Sequence, residues 1–401
     1  MQTIGILKEG KTPPDKRVPL SPQQCADFIS QYPSINLVVQ RSPIRCFSDE
    51  EYSNLGITLV DDVSNCDVLL GVKEVPKSDL LSDKTYFYFS HTIKEQPYNR
   101  ELLQKMVEKN ITMVDYETLK HANGSRIIGF GRYAGVVGCY NGFLAYGKRT
   151  KRFELKAANL CEDRKELEKE LKKVDLPNIK IIVSGNGRVG KGALEIIQLL
   201  NIREVSKEDF KTKTFDEPVY VHVDFPDYNT RKDGSEFIAD EFFKKPELFK
   251  STFMDYASCA DVFIAGHYYG AGSPYLFTRE DAKSADFKIR TVADISCDID
   301  GPVASTIRPS TIENPIYGYN PVTESEDDFD KEDVITVMAV DNLPCELPKD
   351  ASEDFGNELM KHVFPCLIGD DPEQIIGRAT ICKNGDLNTH YEYLRDYLNG
   401  N

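Results

Sequence analysis

Three glycines stand at positions 185, 187 and 190, in the run Ser-Gly-Asn-Gly-Arg-Val-Gly-Lys at 184–191. The spacing G-x-G-x-x-G suits a turn that cradles phosphate. Gly185 permits a tight bend, Gly187 lets the backbone approach a pyrophosphate, and Gly190 lets a helix pack closely on a strand. The same letters match the start of a P-loop, G-x-x-x-x-G-K. There Gly192 stands where Ser or Thr would hold Mg²⁺, so that reading is weaker. A glycine-rich turn without a ligand is the bland alternative.

A second set of residues could move protons and hold carboxylates. The chain has only six His. His91 follows the aromatic run Tyr86 to Ser90 and enters a loop, a good place for proton transfer, although buried His is often structural. Lys73 ends an apolar run. A desolvated Lys loses part of its affinity for a proton and can act as a base; the alternative is a surface Lys paired with Glu74. Arg17 and Arg126 could clamp carboxylates through two parallel hydrogen bonds, or be ordinary surface charges. Asp294 closes Val-Ala-Asp, and Asp341 precedes Asn-Leu-Pro. Ligands of open α/β sheets gather at such strand ends.

The elements that must position these groups follow from periodicity. Ile181, Ile182 and Val183 form a β-branched run closed by glycine, which predicts a buried parallel strand. Ala193, Leu194, Ile196, Ile197, Leu199 and Leu200 predict a helix with a broad apolar side. Strands are expected at 2–7, 36–40, 57–60, 68–72, 84–90 and 111–116, with helices over 23–31, 49–55 and 99–108. This alternation predicts an α/β domain with a mainly parallel sheet. The small, apolar stretch 133–146 reads as a linking helix, and 162–173 as a solvated, charge-paired helix. Further strands are expected at 219–223, 262–266 and 291–295, with a returning helix over 353–368. Residues 224–259 are long and polar for a crossover and read as an insertion.

Bulk properties narrow the classes. A chain of 401 residues holds two or three full cores. A net charge of −16 argues against nucleic acid and anionic membrane as partners. No apolar run approaches the ~20 residues of a membrane helix, and the N-terminus lacks the apolar core of a signal peptide. Ten scattered Cys show no metal-ligand spacing, which suits free thiols in a reducing cytoplasm and no bound metal.

Five runs together carry a resemblance: Gly-Val-Lys-Glu-Val-Pro at 71–76, Tyr-Phe-Ser-His-Thr-Ile-Lys-Glu-Gln at 88–96, Phe-Gly-Arg-Tyr-Ala-Gly at 130–135, Val-Ala-Asp-Ile-Ser-Cys-Asp at 292–298 and Asp-Asn-Leu-Pro-Cys-Glu-Leu-Pro at 341–348. With Arg-Val-Pro-Leu at 17–20, they resemble the lysine-side saccharopine enzymes of the alanine dehydrogenase/transhydrogenase fold group. The resemblance spans nearly the whole chain. It implies two Rossmann-like α/β domains with mainly parallel sheets and an interdomain cleft. Residues 1–133 with 345–401 would form the substrate domain, and 134–344 the dinucleotide-binding domain, with an insertion at 211–259.

The activity implied is an oxidoreductase of CH–NH bonds, interconverting L-lysine, 2-oxoglutarate and NAD(P)H with saccharopine and NAD(P)⁺. Lys73 matches the family's general base and His91 its general acid. Arg17, Gln96, Arg126 and Phe130 match substrate-binding positions, with Asp294, Ile295 and Ser296 beside the substrate. Gly187, Arg188, Tyr268, Ala293, Val340, Asp341, Asn342 and Leu343 match cofactor-binding positions. Ser125 stands where the fungal motif has a first Arg of two. The stretch 203–209 is expected to follow the second Rossmann strand. Ser206 and Lys207 there suit a 2′-phosphate and tilt the reading towards NADP, whereas Glu208 or Asp209 would suit NAD. Two other readings stay open: an amino-acid dehydrogenase of the alanine dehydrogenase type, and a nucleotide-sensing relative without catalysis. A homo-oligomer is compatible with either.

Overall fold

The computed structural model describes residues 2–12 and 14–400; Met1, Pro13 and Asn401 lie outside the described residues. The chain divides into two compact units, Met1–Phe130 with Pro348–Asn401, and Gly131–Leu347. The first stretch lays down β1 (Thr3–Ile6), β2 (Asn36–Gln40), β3 (Thr58–Val60), β4 (Val68–Lys73), β5 (Thr85–Phe89) and β6 (Thr112–Asp115). The second unit follows with β7 (Lys180–Ser184), β8 (Arg203–Glu204), β9 (Val219–Val223), β10 (Asn229–Arg231), β11 (Phe249–Ser251), β12 (Val262–Ala265) and β13 (Thr291–Asp294). It closes with β14 (Ile316–Asn320), β15 (Ser325–Asp327) and β16 (Ile335–Met338). β17 (Thr380–Lys383) and β18 (Asp386–Leu387) return to the first unit.

The first unit holds one eight-stranded sheet in the order β18-β17-β6-β5-β4-β1-β2-β3. The strands from β6 to β3 are parallel; β17 joins β6 antiparallel and carries β18 antiparallel at the edge. Alternate residues of the same strands enter different cores. Leu70 and Phe87 pack with Phe28 and Phe355, while Leu69, Tyr86 and Tyr88 pack with Leu103 and Met106. A sheet covered on both faces needs continuous apolar strands, which is why β4 and β5 read as unbroken runs. The helix Pro22–Gln31 starts with a capping box between Ser21 and Gln24 and a proline in its first turn. The C-terminal return is one helix broken by a π turn: Pro348–Glu358, then Leu359–Val363, then Phe364–Ile368. Pro365 lacks an amide hydrogen, so it suits the start of a new segment rather than a continuous helix.

The chain leaves β1 in one direction to build β2 and β3. It then crosses to the other side of β1 for β4, β5 and β6. The carboxyl ends of β1 and β4 therefore flank a reversal of strand order, where open α/β sheets bind ligands.

The second unit repeats the design in the order β15-β14-β16-β13-β12-β7-β9-β8. The strands from β16 to β8 are parallel, with β14 antiparallel to β16 and β15 antiparallel to β14. Here the reversal lies between β7 and β12. The helix Gly131–Thr150 is buried along most of its length. Its glycines serve close approach: a Cβ on Gly135 would lie 2.0 Å from the Val189 carbonyl oxygen. The charged segment contains the short helix Arg164–Glu170, capped by Asp163. The insertion folds as the β10–β11 hairpin plus a short helix, Ala239–Lys244, around clustered Phe rings.

One expectation is corrected. The stretch 203–209 does not follow the strand beside β7. Arg203–Glu204 is a two-residue edge strand, and the neighbour of β7 is β9, which ends at Val223. Ser206 caps the helix Lys207–Thr212 by accepting from the Asp209 amide, and the Lys207 ammonium pairs with Asp227 at 2.5 Å. Both side chains are engaged in local structure. No helix among the described residues is long and apolar enough to cross a membrane. Among those residues no cluster of His, Cys, Asp and Glu could hold a metal ion.

Candidate active site

At the strand-order reversal of the first unit, Glu9 lies just past β1 and Lys73 ends β4. The Glu9 carboxylate accepts the amides of both Val72 and Lys73, at 2.7 and 2.9 Å. It thus fixes the last residues of β4, where the pairing with β5 shifts register between Leu70 and Lys73. Glu9 is buried, and that burial pushes its carboxyl up to about 7. The two amide bonds and Arg17 pull it down, but not enough to offset burial.

Beside Glu9, Asp15 and Arg17 form a buried pair. The Arg17 guanidinium gives Nε to one Asp15 oxygen at 3.0 Å and Nη2 to the other at 2.6 Å. Burial pushes the Asp15 carboxyl up, yet the Arg17 bonds and charge, with Lys73 further off, hold it below its ordinary value. The other side of the guanidinium lies over the Phe130 ring, 4.1 Å from its centre. Phe130 in turn stacks on Phe355 at 4.6 Å. One edge of the Arg17 fork is therefore committed to Asp15, so the residue is a pre-oriented cation rather than an open clamp.

His91 sits immediately past β5, with φ +57°, at the start of the turn Thr92–Lys94. That left-handed conformation is uncommon outside glycine and turns the ring out of the strand direction. The imidazole stacks on Phe89 at 6.2 Å, and its Nδ1 lies 3.4 Å from the Glu117 carboxylate. Glu117 also receives Arg126 at 3.0 Å and Lys94 at 3.6 Å. The His91 hydrogen bond first, then Lys94 and Arg126, hold the Glu117 carboxyl down at about 2 in spite of its burial. Asp115, fully buried at the end of β6, ties these parts together. One oxygen accepts the Ser90 amide at 3.0 Å and the other the Glu117 amide at 2.7 Å. It thus anchors the residue before His91 and the loop that carries Glu117. Gln96 caps the helix Pro97–Glu108 by position, and its carbonyl accepts the Tyr397 hydroxyl at 2.6 Å.

The structure thus brings Arg17, Lys73, His91, Arg126 and Phe130 to one end of one sheet, linked through Glu9, Asp15, Phe89 and Glu117. None of those four linkers stood out in the sequence. Glu9 had a weak signal as the first acid after β1; Glu117 could be placed only once β6 was known to lie beside β5.

In the second unit the glycine run forms a strand–turn–helix. Gly185 has φ +94°, and a Cβ there would meet the Gly266 carbonyl oxygen at 2.2 Å. A Cβ on Gly190 would meet the Gly185 carbonyl oxygen at 1.9 Å, whereas one on Gly187 would meet nothing within 4 Å. Gly185 and Gly190 are thus required by the backbone itself. Gly187 faces open space at the start of the helix Arg188–Leu199, which carries no side-chain cap. Helix amides without partners and a partial positive charge are what an anion needs. Arg188 is exposed on the first turn. The Gly185 amide donates to the Val223 carbonyl at 2.9 Å, which places Asp224 beside the turn. Asp224 was not singled out in the sequence, because β9 was not recognised as the neighbour of β7.

The remaining expected positions lie at the ends of β12, β13 and β16. Tyr268 is exposed past β12. Ala293 is buried in β13 against Gly142. Asp294 is fully buried; it accepts Ser296 Oγ at 2.6 Å, Thr306 Oγ1 at 2.7 Å and the Cys297 amide at 3.2 Å. Burial raises its carboxyl above the usual range despite these bonds. That is the setting of a loop anchor, holding Ile295 and Ser296 in place. Val340 and Leu343 are buried, while Asp341 and Asn342 are exposed, Asn342 with φ +63°.

Comparison with known proteins fits this geometry. Residues 5–137 match the model of the alanine dehydrogenase/PNT N-terminal domain. The chain is 29% identical over 444 residues to mouse mitochondrial alpha-aminoadipic semialdehyde synthase, covering 98% of this chain and 47% of that protein. It is 25% identical to the NAD⁺-dependent, L-lysine-forming saccharopine dehydrogenase of Candida glabrata, over 91% of this chain and 95% of that one. The chain is thus similar along most of its length to lysine-side saccharopine enzymes. It spans about half the length of the synthases it matches. In fold it is similar to a solved L-alanine dehydrogenase, with a TM-score of 0.63 at 16% identity over 99% of each chain. That likeness covers both α/β units of the chain.

Proposed function

We propose that the chain interconverts L-lysine, 2-oxoglutarate and reduced nicotinamide dinucleotide with saccharopine and the oxidised dinucleotide. The observation that carries the reading is the cluster at the first unit's strand reversal: an amine, an imidazole–carboxylate pair and a fixed guanidinium on one sheet end. Forming a secondary amine from an amine and a ketone needs these groups. Lys73 takes the proton from the substrate ammonium, leaving a neutral amine that attacks the ketone carbon. His91, oriented by Glu117, then gives a proton to the carbinolamine hydroxyl, so water departs and a protonated imine remains. Arg17, with Arg126 at the rim, offers positive charge to the substrate carboxylates.

The second unit is suited to hold the dinucleotide. Gly187 and the uncapped helix start would take the pyrophosphate, and Arg188 adds charge. The bound nicotinamide would supply the hydride that reduces the imine. Asp224, at the end of the strand beside β7, stands where a Rossmann site holds the ribose 2′-hydroxyl, and a carboxylate there repels a 2′-phosphate. We therefore read the cofactor as NAD.

The test is the loss of reduced-nicotinamide absorbance with lysine and 2-oxoglutarate, run with NADH and NADPH. Turnover with this pair, and faster turnover with NADH, is expected. Turnover with pyruvate and ammonia in its place would transfer the protein to the amino-acid dehydrogenases. Binding of dinucleotide without turnover on either pair would make it a sensor.

A further inference from the structure

The insertion after β9 leaves one aromatic side chain half exposed at the edge of its own core. In the short helix Ala239–Lys244, Phe242 is 4% exposed and packs among Phe225, Phe237 and Phe249. Successive helix residues point about 100° apart, so Phe243 meets that core only at its edge, through Phe225 and Phe242. It is 49% exposed and reaches Phe225 at 5.0 Å and Tyr268 at 6.3 Å, and Tyr268 is itself 77% exposed. Two large rings left in water next to each other form an exposed apolar surface of the kind that ligand-binding grooves present.

Their place in the sheet identifies the ligand. β7 lies between β9 and β12. Phe225 follows Asp224 at the end of β9, and Tyr268 lies two residues past Gly266, whose carbonyl abuts the Gly185 turn. The connections from both neighbours of β7 therefore meet, through Phe243 and Tyr268, across the carboxyl end of the glycine strand. A dinucleotide with its pyrophosphate on Gly187 and its adenosine ribose at Asp224 must send its base past Asp224, towards Phe225 and Phe243. We infer that Phe243, with Tyr268, is a stacking shelf for the adenine base, contributed by the insertion. This rests on the dinucleotide reading of the glycine turn.

The test uses the full chain and isothermal titration with ADP-ribose, which carries the adenine but no nicotinamide. Reduced nicotinamide mononucleotide, which lacks the adenine, is the control. Base–aromatic stacking is strong enough that Phe243→Ala should weaken ADP-ribose about tenfold. The same variant should leave the mononucleotide unchanged, and Phe243→Tyr should restore wild-type affinity. Phe243→Leu, which keeps an apolar side chain in the insertion, serves if the alanine variant does not fold and should also lose affinity. Equal ADP-ribose affinity in wild type and Phe243→Ala or Phe243→Leu overturns the inference while leaving the dinucleotide site standing. Equal weakening of both ligands also overturns it, since the ring would then act through the fold. A wild-type chain that binds no ADP-ribose removes the dinucleotide reading and this inference with it.

Discussion

Replacing Glu9 by Gln separates the cost of burying this carboxyl from the work it does. An isolated Glu titrates near 4.5, and burial moves Glu9 to about 7. The folded state therefore holds its proton more tightly than the unfolded chain. Below pH 4.5 both states are protonated and the group is neutral in the balance. As pH rises from 4.5 to 7 the unfolded chain releases the proton first, so stability falls. Above 7 both are ionised and the loss levels off at about 3 kcal/mol. Gln abolishes this titration. It keeps one acceptor oxygen but turns an NH₂ towards one of the two backbone amides, which costs about 1–3 kcal/mol at every pH. Glu9→Gln should thus be less stable than wild type by about 1–3 kcal/mol at pH 4.5. At pH 8 it should be equal or slightly more stable. Urea unfolding followed by circular dichroism at several pH values reads the difference directly. Stability curves for the two proteins that run parallel from pH 4.5 to 8 would refute the buried, proton-holding environment assigned to Glu9.

Lys73→Met and His91→Gln should each lower turnover by ~10²–10⁴-fold in steady-state assays while the thermal midpoint stays put. Asp115→Asn turns a donor towards either the Ser90 or the Glu117 amide; it should cost about 1–3 kcal/mol of stability and, by loosening His91, alter the pH profile of turnover as well. The glycines of the turn should split. Gly185→Ala meets the Gly266 carbonyl oxygen at 2.2 Å with a positive φ and should destabilise the second unit in a thermal melt. Gly187→Ala meets nothing within 4 Å, so it should fold normally yet lose ADP-ribose affinity by at least about tenfold in titration. Asp224→Ser should narrow the ratio of NADPH to NADH KM, since the carboxylate that repels a 2′-phosphate is gone; an unchanged ratio would remove Asp224 from the ribose site.

What the sequence revealed and what it withheld divide along one physical line. The glycine turn was legible because its strand, its three glycines and its helix are consecutive, and the local chemistry is the whole signal. Lys73 and His91 were legible as strand-end residues because β4 and β5, buried on both faces, read as apolar runs that stop abruptly. Glu9 was not. It acts on amides more than sixty positions away, and only the pairing of β1 with β4 makes it their neighbour. Asp224 was hidden by the same kind of event: the chain places the later strand, β9, beside β7 and sends the earlier one, β8, to the edge. Neither the charged, two-residue β8 nor the apolar β9 carries a local mark of its rank in the sheet.

The groups the sequence showed are those proposed to touch substrate or cofactor, and the groups it hid are largely those that orient them. Glu9 holds the end of β4, and Asp115 holds the approaches to His91 and Glu117. Both are buried acids bonded to the backbone. A carboxylate with two oxygens can fasten two segments at once, and burial makes its bonds stronger and its loss more costly. Such acids are invisible in a one-dimensional pattern because their partners are distant. Their removal should therefore move stability and pH dependence together, whereas removal of Lys73 or His91 should move the rate alone.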